Sequence, residues 1–80
     1  MDDAQILARI DELVNEENAL RDKEAKGEHL PEDRVRLDEL KVQLDKTWDL
    51  LRQRRAREEF GLDPDFAQER SGDTVEHYRQ

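Results

Sequence analysis

Trp48 is the only tryptophan of the chain, and Arg52, Arg54, Arg55 and Arg57 follow it closely. Guanidinium groups recognise phosphates and carboxylates through planar, paired donors. A large aromatic beside them can anchor a partner. The segment thus has the chemistry of a recognition surface, for a nucleic acid or for an acidic protein. Charge elsewhere disfavours the nucleic acid. The 80 residues carry a net charge of -8. Residues 1–30 hold nine acids and four bases, residues 31–60 hold eight of each, and residues 61–80 hold five acids and two bases. A small basic patch inside a repulsive field is the reverse of the usual nucleic-acid footprint.

The other reactive side chains form no catalytic pattern. His29 and His77 have no neighbours at metal-ligand spacing, and no Glu-x-x-His pair of the di-iron bundle type occurs. Glu16 and Glu17 are adjacent, and adjacent helical residues point apart. Glu17 interrupts an apolar stripe, where a partner in Arg21 or Lys41, or a register-setting role at a bundle seam, accounts for it. Thr47, Ser71, Thr74 and Tyr78 lack a base at a recognisable spacing. Gly27, Gly61 and Gly72 are isolated, so no phosphate-cradling loop is present. There is no cysteine, hence no disulfide and no thiolate chemistry. The chain reads as a non-enzyme with no catalytic residues, no metal and no cofactor.

These side chains must be positioned by a small scaffold. Apolar residues make up 34% of the chain and charged residues 45%, close to the composition of disordered segments. Regular spacing of the apolar residues argues for a fold. Ile6, Leu7, Ile10, Leu13, Val14 and Leu20 recur at helical period, which predicts a helix over about 3–26. Asp2 and Asp3 suit its start and Gly27 its end. Pro31, Glu32 and Asp33 open a second helix over about 31–60, closed by Gly61. Its stripe is Leu37, Leu40, Leu44, Trp48 and Leu51, continued by Arg55 and Glu58.

A connection this short makes an antiparallel hairpin. In the matching register Leu20 faces Leu37, Leu13 faces Leu44, Ile10 faces Trp48 and Ile6 faces Leu51. Asp2 and Asp3 then oppose Arg54 and Arg55, with Arg55 turned inward. Arg52, Arg54 and Arg57 diverge from the stripe as an exposed patch. Such a core is marginal for one copy. Val35, Val42 and Leu50 add a second apolar line on helix two that needs its own cover. The expectation is a homodimer, most simply a four-helix bundle.

Residues 61–80 form a tail or strap distinct from the 1–60 hairpin. Asp63 and Pro64 predict a short helical turn, Ser71 and Gly72 break it, and Asp73 to Glu76 can cap a last turn through Tyr78. Phe66 and Tyr78 are its aromatic anchors, for the chain's own bundle or for a partner. The candidate protein-binding residues are therefore Arg52, Arg54, Arg57, Phe66 and Tyr78. The acidic Met1-Asp2-Asp3 start is unlike a secretory leader, and no apolar run suits a membrane span, so a cytoplasmic setting without membrane contact is expected.

Several blocks also carry a resemblance. Asp3-Ala4-Gln5-Ile6-Leu7-Ala8-Arg9-Ile10-Asp11-Glu12-Leu13-Val14-Asn15-Glu16-Glu17, the Val42 to Asp45 and Trp48 to Ala56 blocks, Asp63-Pro64-Asp65 and Thr74 to Tyr78 together resemble a family of short actinobacterial proteins catalogued as a domain of unknown function. The resemblance spans nearly the whole chain and is most specific at Trp48 to Ala56. Pro31 departs from the Ser-type cap the family pattern suggests. The resemblance implies a stand-alone protein in a bacterial cytoplasm and implies no reaction. The residues themselves favour a helical protein acting through self-association and protein contacts. The alternative is a small nucleic-acid or nucleoprotein-associated factor using the same arginines.

Overall fold

A computed structural model describes residues 1–70. The predicted Asp73 to Tyr78 turn, with His77 and Tyr78, lies outside the described residues. Helix α1 spans Asp3–Ala25, helix α2 spans Pro31–Glu59, and a single 3-10 turn follows at Pro64–Phe66. The protein is an all-α antiparallel hairpin.

Local chemistry sets each boundary. The Asp2 carboxylate accepts from the Gln5 N–H at 2.8 Å, and the Gln5 side-chain oxygen accepts from the Asp2 N–H at 2.9 Å. This reciprocal box satisfies donors that a helix start leaves unpaired. Gly27 and Gly61 both have φ of 71°. At the first, the Gly27 N–H donates to the Glu24 carbonyl and the Glu28 N–H to the Lys23 carbonyl, at 3.0 and 2.9 Å. The end of α2 repeats the pattern, with Gly61 to Glu58 at 3.1 Å and Leu62 to Arg57 at 2.7 Å. Both are Schellman closures, which need a left-handed residue and so favour glycine. Pro31 occupies the first position of α2, and the Asp33 carboxylate accepts from the Leu30 N–H at 2.9 Å.

Ile6, Ile10 and Leu13 of α1 and Leu40 and Leu51 of α2 are buried. Val14, Leu44 and Leu50 pack against the cluster of Ile6, Ile10 and Leu51. Two inward positions on α2 differ from those expected. Trp48 is 41% exposed and Arg55 is exposed, whereas Arg54 is only 6% exposed. The line facing α1 runs through Leu40, Leu44, Thr47, Leu51 and Arg54, with alternating steps of four and three. Thr47 fits there because its hydroxyl donates to the Gln43 carbonyl at 2.7 Å and needs no other partner. That small side chain displaces the bulky indole to the rim.

Ion pairs fasten the two helices. The Arg36 guanidinium donates to both Glu16 oxygens at 2.5 and 2.9 Å. Near the turn, Lys23 meets Asp33 at 2.7 Å and Arg34 meets Glu24 at 3.9 Å. Glu17 pairs with Arg21 at 3.6 Å. The outer side of α2 receives part of its cover from the chain itself. Residues 65–70 run back along it, touching Arg54, Gln53, Asp49 and Lys46.

Candidate interaction surface

The end of α2, the glycine closure and residues 62–70 bring the arginine block and the tail together. Arg54 is the internal member. Its Nε donates to Asp3 Oδ1 at 2.7 Å and its Nη1 to Asp65 Oδ1 at 3.0 Å. One guanidinium therefore joins the start of α1, the end of α2 and the tail. These hydrogen bonds, Asp3 first and Asp65 second, strengthen its hold on the proton. Arg54 thus leaves the set of exposed candidates.

Beside it, Gln53 Nε2 donates to Asp49 Oδ2 at 2.9 Å and to the Gln68 carbonyl at 2.7 Å. Asp49 is buried and also meets Arg70 Nε at 3.4 Å and, more loosely, Arg52 at 3.9 Å. Lys46 and Glu69 pair at 3.0 Å. The tail up to Arg70 is thus held by polar contacts along α2. Its aromatic does not do this work, since Phe66 is 69% exposed. The predicted cap is in place, with the Asp63 carboxylate accepting from the Asp65 N–H at 2.9 Å.

What remains exposed has a mixed character. Arg52 and Arg55 project outward and Arg57 is half-buried. Phe60 is 77% exposed and Leu62 55%. A shallow recess of about 290 Å³ lies between Gln53, Ala56, Arg57, Phe60, Leu62 and Arg70. Phe60 and Leu62 escape a helix-period reading because they flank Gly61, where the period stops. A signal for Leu62 does exist in the closure itself. The residue after a Schellman glycine ordinarily packs on the last helical turn, three residues before the cap. Here that position is Arg57, which offers no apolar partner of its own.

The full length of the chain can be set against known proteins. Residues 2–80 match the model of a family described as a protein of unknown function, DUF2630. The chain belongs to this family. It is 44% identical over 77 residues to the uncharacterized protein Rv0898c of Mycobacterium tuberculosis, covering 95% of this chain and 88% of the relative. The uncharacterized protein Mb0922c of Mycobacterium bovis matches with the same identity and coverage. No solved structure matches the chain.

Among the described residues, no group of three or more His, Cys, Asp or Glu side chains is placed to hold a metal ion. No helix is long and apolar enough to cross a membrane. The paired acids and bases here neutralise one another within the fold. The exposed arginines beside Phe60 and Leu62 have the chemistry to receive an apolar side chain flanked by carboxylates.

Proposed function

We propose that the protein is a non-enzymatic, self-associating helical hairpin that works in the cytoplasm through protein–protein contacts. Its partner surface is the open end of the hairpin, where Arg52 and Arg57 border Phe60, Leu62 and Phe66, with Tyr78 of the remaining tail as a further candidate. The observation that carries this reading is the exposure of two large apolar side chains, Phe60 and Leu62, around a recess lined by Arg57 and Arg70. Apolar side chains grouped beside guanidinium groups are the composition of a protein contact rather than of a phosphate-tracking surface. The nucleic-acid reading is weaker because Arg54 is spent on Asp3 and Asp65 inside the fold.

Crosslinked affinity capture of the tagged protein from its own cells tests this reading. The expected result is a defined protein that survives nuclease treatment and is lost from a Phe60→Asp, Leu62→Asp variant of unchanged helicity. Recovery of nucleic acid instead, removed by nuclease and by moderate salt, contradicts it.

A further inference from the structure

The broad sides of the hairpin differ. One carries the Glu16–Arg36 pair and a recess of about 260 Å³ lined by Met1, Arg9, Gln43, Lys46, Thr47, Leu50 and Glu69. On each helix the opposite flank of the core line must then share the other side. For α1 that flank is Leu7, Asp11 and Val14. For α2 it is Leu37, Lys41, Leu44, Trp48 and Arg52. Steps of three, four or seven keep each set on one line. Leu7 is 40% and Trp48 41% exposed, and Val14 and Leu44 are half-buried beneath them. The tail meets α2 at Lys46, Asp49, Gln53 and Arg54, away from this line.

Charge on this side is divided between the helices. Asp11 lies on the α1 line, while Lys41 and Arg52 flank Trp48 on the α2 line. Among the described residues, Asp11 and Lys41 form no ion pair, and Arg52 reaches only the loose contact with Asp49. An acidic line beside a basic line is self-complementary under a two-fold axis that runs along the hairpin. That operation lays α1 of each copy over α2 of the other and satisfies both lines twice. The body measures 50 × 26 × 15 Å, so its broad side exceeds the roughly 800 Å² per partner of a stable interface. The half-exposed indole supplies the kind of central aromatic that anchors such contacts.

We propose that a second copy of this chain docks on this side, through Leu7, Val14, Leu44 and Trp48. Asp11 of each copy then meets Lys41 and Arg52 of the other. The proposal rests on the self-association reading above and assigns it a face. It differs from a cover over Val35, Val42 and Leu50, whose side of α2 the tail partly occupies.

Sedimentation equilibrium of the full chain, with circular dichroism as a folding check, tests it. Wild type is expected to be a dimer, and Leu7→Glu, Trp48→Glu a helical monomer. A second measurement does not depend on an apolar substitution. Asp11→Lys and the double variant Lys41→Glu, Arg52→Glu should each weaken their own dimer by tenfold or more. Mixed together they should form a heterodimer with affinity near wild type, because both like-charge contacts become opposite. If wild type is dimeric while the Glu variant stays equally dimeric, or the mixture restores nothing, the face is wrong and self-association stands. If wild type remains monomeric at hundreds of micromolar, both fall.

Discussion

The Arg54 guanidinium donates to Asp3 and to Asp65 while Arg55, one residue on, points into solvent. Neighbouring helical residues differ by about 100° in direction, so one step separates a clasp from a surface charge. Arg54→Met should therefore lower the melting temperature by several degrees. Arg52→Met and Arg55→Met should leave it nearly unchanged, and thermal circular dichroism would rank the three. The carboxylates make a second prediction. The hydrogen bonds from Arg36 hold the Glu16 carboxyl below its usual range, and those from Lys23 and the Leu30 N–H do the same for Asp33. A depressed folded-state pKa contributes stability that is fully present above the unfolded value. It is lost as pH falls through the lower, folded value. Stability should thus be level near neutrality and decline below about pH 4, where unperturbed carboxylates titrate. Denaturation midpoints across pH would show the decline, and Glu16→Gln should make it shallower.

At the scale of elements, the two Schellman closures fix where α1 and α2 stop and how the chain leaves them. A Cβ at Gly61 would meet no atom within 4 Å, so an alanine there suffers only from its left-handed backbone. Gly61→Ala should cost about 1 kcal/mol, read by urea denaturation, with no change in helix content. These boundaries were legible in the sequence because capping is local: Asp2, Gly27, Pro31, Asp63 and Pro64 each act on residues a few positions away. The polar seam was not legible, because it depends on distant partners. Thr47 and Arg54 face inward by virtue of Gln43, Asp3 and Asp65, and no helical period reports those bonds. The same holds for Asp49, which is buried under Gln53 and Arg70. The candidate surface was legible in part. Arg52, Arg57 and Phe66 stood out by type, whereas Phe60 and Leu62 became visible only once the glycine closure left them without cover.

For the whole molecule, a few buried apolar side chains are supplemented by ion pairs and a polar strap. Exposed ion pairs contribute little individually, so the Leu7–Trp48 side is the largest unused reserve of apolar burial. The account's central claim is that a second copy covers this side. Trp48 reports on it directly, being the only indole and 41% exposed in the single chain. Acrylamide quenching of its fluorescence, followed over increasing protein concentration, is the decisive measurement. The account predicts that quenching falls and emission shifts to the blue together as dimers form. Quenching that stays high at every concentration, while the mass doubles or stays constant, would contradict it.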